Sequence, residues 1–329
     1  MLAALIKLYV PLISWIGLGA LAGRWLPERV PRQLGLFLFW LGAPISIVVF
    51  LRQAAITPSV WVAAVVAWVA VLVGGWLAWG WVRWQQAKKR SPKAIKDSSP
   101  GTASASLAWR NPARGSFINA AALGNTGYLG YPISLMLVGT NYFGWAVFYD
   151  TLGSTLASYG LGVALAAHFG STTSLTVLQS LQRVGQAVLR NPAMWSFWLG
   201  LGFRQVPLPP PVESVLSGLA WTVIALSLLL LGMRLSQLSL SKYVKTALVS
   251  LSIKMLIVPI LVGCGLTLAG FDGPPRLVIV LQAAMPPAFA TLIIAEAYHL
   301  NVDLTVTALA LGSVGILLTL PLWLTLFPA

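Results

Sequence analysis

Charge is what this chain lacks most. Of its 329 residues 9% are charged, with seven Asp and Glu in all, where a soluble domain carries roughly 25%. A water-facing globule of this size needs more polar surface than that, so a soluble fold is excluded. The single cysteine, Cys264, excludes an internal disulfide framework. Two histidines, His168 and His299, form no metal-spaced cluster with the few carboxylates, and no Ser/His/Asp set or phosphate-cradling loop with its lysine is present. An enzyme, a metal site, a bound cofactor and ATP-driven transport within this chain are therefore not expected. What is abundant is apolar: 58% of the residues are hydrophobic, and the mean hydropathy is +0.83. The net charge of +14 invites a nucleic-acid reading, but the basic residues lie between long apolar runs rather than on one polar face. No nucleic-acid partner is expected. The chain reads as a polytopic integral membrane protein.

A span needs about 20 apolar residues. Ten stretches meet or approach that length, near 3–25, 34–51, 59–82, 116–138, 142–168, 191–204, 213–234, 244–269, 275–297 and 303–327. The first has no cationic leader and no small-residue cleavage site, so it reads as a retained span. With the amino terminus outside, the cytoplasmic loops hold Arg24, Arg29 and Arg32, the eight basic residues of 83–115, Arg183 and Arg190, then Arg234, Lys242 and Lys245. The outer segments hold only Lys7, Arg52, Arg204 and Arg276. The positive-inside rule therefore puts both termini outside the cytoplasmic (plasma) membrane. Loop 83–115 reads as a basic linker beside an anionic leaflet. Trp76, Trp79, Trp81 and Trp84, just before it, form an interfacial belt. Leu175, Leu178, Leu181, Val184 and Val188 have helical spacing, which predicts an amphipathic helix lying in the interface.

The chain repeats itself. Trp15-Ile-Gly-Leu-Gly19 returns as Trp198-Leu-Gly-Leu-Gly202, Leu26-Pro27 as Leu208-Pro209, and the span-ending Arg52 as Arg234, at offsets of 183, 182 and 182. Between Pro132 and Pro286 the offset is 154, and the 28-residue shortfall is about the length of the basic loop. Residues 1–170 form a first five-helix repeat, 171–190 an interfacial linker helix and 191–329 a second repeat. An odd number of spans inverts the second copy. The predicted fold class is all-α, with ten transmembrane helices in two inverted five-helix repeats, an arrangement typical of secondary transporters.

Matching breaks point to the site of such a transporter. The fourth span reads Gly124-Asn-Thr-Gly-Tyr-Leu-Gly-Tyr-Pro132, and the ninth reads Gln282-Ala-Ala-Met-Pro-Pro-Ala288. Proline removes a backbone donor, and glycine makes unwinding cheap. Two half-helix amino termini would present partial positive charge to one point, which suits a carboxylate. The candidate substrate contacts are Asn125, Thr126, Tyr128, Pro132, Gln282, Met285, Pro286 and Pro287. Three ionisable groups are candidates for coupling. Asp150 is either a proton-coupling carboxyl or one satisfied by neighbouring hydroxyls. Lys254 either snorkels to the interface or pairs with an acid. Glu296 reads first as part of a solvated helix end and second as a site residue.

At these segments the sequence resembles the auxin efflux carrier family, which includes plant PIN-type exporters and bacterial malate/malonate permease-like proteins. The matching residues are Gly124 to Ile133, Ala43-Pro-Ile-Ser-Ile47, Arg190-Asn-Pro-Ala193, Gln282 to Pro286, Ala295-Glu-Ala-Tyr298, and Asp303 to Leu320-Pro321. The resemblance implies ten spans in two inverted repeats, with helices 4 and 9 crossing at Pro132 and Pro286. It also implies a substrate carboxylate near that crossing, with Asn125 at the family's asparagine position. Asp150 falls about where PIN-type exporters carry a polar residue, and its acidity argues against copying their substrate preference. The long insert of many plant members is absent between the fifth and sixth spans. Sodium–bile acid symporters share the crossed architecture, but no cluster of sodium ligands assembles here.

The expected function is a secondary transporter of a small organic anion, a carboxylate or auxin-like acid, working by alternating access, with a coupled proton as one option. The alternative is a membrane sensor or assembly subunit that binds a ligand without moving it. The Gly-rich first and sixth spans permit close packing, either within the chain or in a homodimer.

Overall fold

A computed structural model of the chain describes residues 2–89, 111–170, 182, 185–186, 188–237 and 242–329. Every named element is helical. Helix α1 covers Leu2–Trp25, α2 Arg29–Gln53 and α3 Pro58–Lys88. Helix α4 covers Asn111–Ala122, and α5 begins as a wide π-type turn at Thr126–Gly130 and continues as Tyr131–Val138. Helix α6 runs from Phe143 to Phe169 and contains two π-type stretches, Tyr149–Thr155 and Ser158–Gly162. Helices α7 and α8 cover Pro192–Phe203 and Pro210–Ser236. Then come α9, Val244–Leu268, α10, Gly273–Ala283, α11, Phe289–Ala297, and α12, Val302–Leu326.

Local chemistry explains several of the ends. Proline occupies the first turn of α7 and α8, where its missing donor costs nothing. The Asn191 side chain accepts from the Ala193 amide at 2.9 Å, and that of Asn301 from Leu304 at 2.8 Å, capping α7 and α12. Gly139 follows α5 and Gly270 follows α9, at φ of +76° and +80°, backbone angles that a Cβ would oppose.

Among the described residues, five helices are long and apolar enough to cross a membrane: α2, α3, α8, α9 and α12, with mean hydropathies of 2.0–2.4. Large apolar side chains on the outer surface, such as Leu268 at 89% and Leu318 at 80% exposed, suit contact with lipid. The interior carries edge-to-face aromatic pairs, Phe50–Phe143, Tyr131–Phe143 and Phe148–Phe197 at 4.9–5.3 Å. These join α2, α5, α6 and α7.

The first-span glycines are used within the chain. A Cβ on Gly19 would lie 2.0 Å from the Leu229 carbonyl oxygen, and one on Gly232 would lie 2.0 Å from that of Ile16. The backbones of α1 and α8 therefore touch along this seam. In the sixth span Gly200 meets Val48 and Leu51 of α2, while Gly202 has open space around it.

Several boundaries differ from the sequence reading, among them the start of α2, at Arg29 rather than near residue 34. Helix α3 continues through Lys88, because Trp84-Gln-Gln-Ala are residues a helix tolerates well. The basic linker is thus helical at its start, and α4 begins at Asn111 within its other end. The rest of 83–115 lies outside the described residues, as does most of 171–190, including Leu175, Leu178, Leu181 and Val184.

Candidate functional site

Both glycine- and proline-rich segments interrupt their helices. Between α4 and α5 the chain leaves helical geometry at Leu123–Asn125, and between α10 and α11 at Ala284–Ala288. The second interruption contains its prolines, Pro286 and Pro287. The first does not contain Pro132, which sits in the opening turn of the regular part of α5. A wide turn at Thr126–Gly130 precedes it, with the Gly130 amide reaching the Asn125 carbonyl at 3.2 Å. The unwinding therefore falls farther upstream.

The two interruptions hydrogen-bond to each other. The Asn125 amide donates to the Pro286 carbonyl at 2.7 Å and the Ala288 amide to the Leu123 carbonyl at 3.1 Å. Gly124 and Pro287 thus form an isolated antiparallel bridge. Each gap satisfies polar groups of the other, which non-helical backbone at membrane depth requires.

A cavity of about 440 Å³ opens against this joint, within the range of small-molecule sites. The opening residues of α5 (Thr126, Gly127 and Tyr128) and of α11 (Phe289 and Ala290) both line it. Unsatisfied amides at helix starts carry partial positive charge, so two such ends face one space. Polar groups complete the wall: Ser46 from α2, Asp150, Ser154, Ser158 and Tyr159 from α6, Asn191 before α7 and Ser227 from α8.

Of the eight predicted contacts, the structure places Asn125, Thr126 and Tyr128 on the cavity wall. Pro132, Gln282, Met285, Pro286 and Pro287 are not among its lining residues. Gln282 is fully buried, and its amide nitrogen faces the Ser134 hydroxyl of α5 at 3.4 Å. A Cβ on Gly130 would lie 2.2 Å from its oxygen. Gln282 therefore packs between α10 and α5, with its side-chain oxygen lacking a hydrogen-bond partner. The Asn125 side chain is 4% exposed, and its amide nitrogen has no hydrogen-bond partner. Native interiors seldom leave a buried donor unpaired, and such a group calls for an explanation.

The three ionisable candidates occupy different environments. Asp150 lines the cavity from the first π-type stretch of α6. Its carboxyl accepts from the hydroxyls of Thr126, Tyr131 at 2.7 Å and Thr155 at 3.5 Å. Lys254 neither snorkels nor reaches an acid for its hydrogen bond. It is 2% exposed and donates to the Ala283 carbonyl at 3.0 Å, the carboxyl end of α10, where helix polarity favours a cation. A Cβ on Gly124 would lie 3.1 Å from the Lys254 nitrogen, and one on Gly127 would lie 3.5 Å from an Asp150 oxygen. The unwound stretch is thus flanked by an amine and a carboxyl. Glu296 is exposed and does not line the cavity, although its neighbours Ala297 and Tyr298 do.

Sequence reasoning missed several wall residues. Asp150 was named, but Ser154 and Ser158, four and eight residues on along the same helical face, were not, although that spacing was there to be read. Arg234 was read as a loop cation and as the repeat partner of Arg52, not as a residue near the site. Its guanidinium lies 4.8 Å from the ring centre of Phe289, a cavity residue, and nothing in the sequence pairs the two. Among the described residues, no three His, Cys, Asp or Glu side chains are placed to hold a metal ion.

Residues 103–324, two thirds of the chain, match the membrane transport protein family, the auxin efflux carrier and PIN-like group. The chain belongs to this family. It is also similar to an uncharacterized transporter of Methanothermobacter thermautotrophicus, 31% identical over 205 residues that cover 62% of this chain and 65% of that protein. A second uncharacterized transporter, from Methanocaldococcus jannaschii, is 25% identical over 209 residues, covering 64% and 67%. The chain thus spans about two thirds of the length of these relatives. The joined interruptions of this family member both fall inside the matched region.

Proposed function

We propose that this membrane transporter is a secondary carrier of a small organic anion, of the carboxylate or auxin-like class, and that the cavity at the joined helix breaks is its substrate site. One observation carries the reading: two helix amino ends and the unpartnered side-chain nitrogen of Asn125 line the same space. A carboxylate there would accept from Asn125 and gain from both helix ends. Asp150 would repel such an anion when ionised. Protonation of Asp150, at the expense of part of the hydrogen bonding its carboxyl accepts from three hydroxyls, would remove that repulsion, which motivates coupling to a proton.

In this reading residues 1–170 and 191–329 are inverted five-helix repeats joined through 171–190, and relative movement of the two bundles exposes the site alternately to each side. The in-register recurrence of Arg52 and Arg234 at the ends of α2 and α8 supports the duplication. The charge distribution supports external termini in the cytoplasmic membrane.

The test is uptake of labelled aromatic, monocarboxylic and dicarboxylic acids into proteoliposomes holding the full chain, with and without a proton gradient. Saturable uptake of at least one acid supports the proposal. Uptake no greater than in protein-free liposomes for the whole panel rejects it.

A further inference from the structure

Helix α9 carries a charge in the middle of an apolar span. Past its first turn, residues 246–268 contain no Asp, Glu, Lys or Arg except Lys254. This side chain is 2% exposed and leaves α9 from the π-type stretch Ile253–Ile257. The family match assigns it nothing, and the proposed binding of a carboxylate does not yet use it.

The ammonium touches both helix interruptions. It donates to the carbonyl of Ala283 at 3.0 Å, the last residue of α10, where the second interruption begins. Beside it lies the first interruption: a Cβ on Gly124 would come within 3.0 Å of the Lys254 Cε and 3.1 Å of its Nζ. A residue with a side chain there would press on the amine, and glycine permits the approach. Gly124 itself lines the large cavity, whereas Lys254 does not. The charge therefore sits one residue behind the wall.

That position leaves the charge effective inside the cavity. Among the described residues the Lys254 hydrogen bond goes to a neutral carbonyl, not to a carboxylate. Asp150 stands farther along the unwound stretch, against Gly127, and accepts from hydroxyls instead. The carboxyl end of α10 favours a cation but offsets only part of what burying one costs. Burial also limits screening by salt. Through an effective dielectric of about 20, unit charges separated by a single layer of backbone change an affinity on the order of tenfold or more.

We infer that Lys254 sets the charge selectivity of the cavity from behind its wall. Its ammonium acts across the Gly124 backbone on whatever occupies the space, favouring a carboxylate over the neutral molecule of the same shape. Lys254 is thus a positioning residue that touches no ligand. The inference rests on the proposed substrate site, though on binding there rather than on transport.

The experiment is equilibrium binding of labelled indole-3-acetate, benzoate and succinate to the purified full chain, each beside its uncharged amide. Wild-type protein should bind at least one acid more tightly than its amide. Lys254→Met removes the charge and the hydrogen bond at similar volume, while Lys254→Gln removes the charge but can still donate to a carbonyl. Both should lower the ratio of acid to amide affinity on the order of tenfold and leave amide binding nearly unchanged. The thermal midpoint of Lys254→Met should stay level or rise, because replacing an uncompensated buried charge by an apolar group of similar size is often neutral or stabilising. Acid and amide affinities that fall together, or a collapse of the midpoint in both variants, would make Lys254 a strut of the joint and overturn the inference. So would wild-type selectivity kept by either variant, or a wild-type protein that prefers none of the acids to its amide. Acid binding of the expected pattern without uptake into proteoliposomes would reject the carrier and leave this inference standing.

Discussion

Asn125→Ala should separate stability from function. The Asn125 side-chain nitrogen is buried and unpaired, so truncation breaks no hydrogen bond made by that donor. It removes an unsatisfied donor whose burial costs about 1–3 kcal/mol. Against this stands the loss of a few packed atoms. Because the residue already borders a cavity of about 440 Å³, the space left behind merges with existing space. The two effects oppose each other, and the net change in stability should fall within about 1 kcal/mol of zero. Transport should respond differently. A hydrogen bond to a charged acceptor contributes about 1.5–3 kcal/mol, so carboxylate affinity should fall roughly 10- to 100-fold. The assay pairs thermal unfolding in detergent with concentration-dependent uptake in proteoliposomes. Unaltered uptake would remove Asn125 from the site, and a large loss of stability would show that its side chain serves the joint instead.

Asp150→Asn keeps the shape of the side chain but cannot release a proton; if Asp150 couples flux to protons, uptake should lose its dependence on a pH gradient, and retained dependence would end that role. Arg234→Gln should raise the substrate concentration for half-maximal uptake several-fold, by removing a cation beside Phe289 at the cavity, with little change in maximal rate; an unchanged half-saturation would place Arg234 outside the substrate's reach. Gly19→Ala puts a methyl 2.0 Å from a backbone oxygen of α8 and should cost about 1–3 kcal/mol, seen as a lower thermal midpoint. Gly17→Ala, with open space around it, should be neutral or gain about 0.5–1 kcal/mol; equal behaviour of the two would contradict the α1–α8 seam. Orientation is accessible to labelling: in a Cys264→Ser background, Lys88→Cys should react with an impermeant maleimide only after the cytoplasmic side is opened, and reaction in intact cells would reverse the topology.

Much of the helical framework was legible because membrane spans announce themselves through length and hydropathy alone. Charge placement also carried information, since Arg52 and Arg234 do close α2 and α8. The interruptions were legible as glycine and proline clusters, yet the first unwinds seven residues before Pro132 rather than at it. A proline near a helix start is easily accommodated, whereas Gly124 must leave the helix to pair with Pro287, a partner more than 160 residues away in sequence. The same remoteness hid the role of Gln282, which looks like a ligand group but packs against Gly130 and Ser134. Lys254 was misjudged because snorkelling is the general habit of lysine, and only the folded chain brings the Ala283 carbonyl to its amine. The hydroxyl cage of Asp150 mixes a neighbour on its own helix, Thr155, with Thr126 and Tyr131 from α5. Periodicity could find the first but not the others.

Counterflow tests the central claim most directly. Proteoliposomes loaded with an excess of unlabelled acid are diluted into a trace of the same acid carrying label, with no ion gradient imposed. A carrier whose cavity opens alternately to the two sides will accumulate label transiently above its external concentration, and Asn125→Ala will suppress the overshoot. Specific binding of the acid with no exchange across the bilayer would contradict the account and leave a ligand-holding membrane protein in its place.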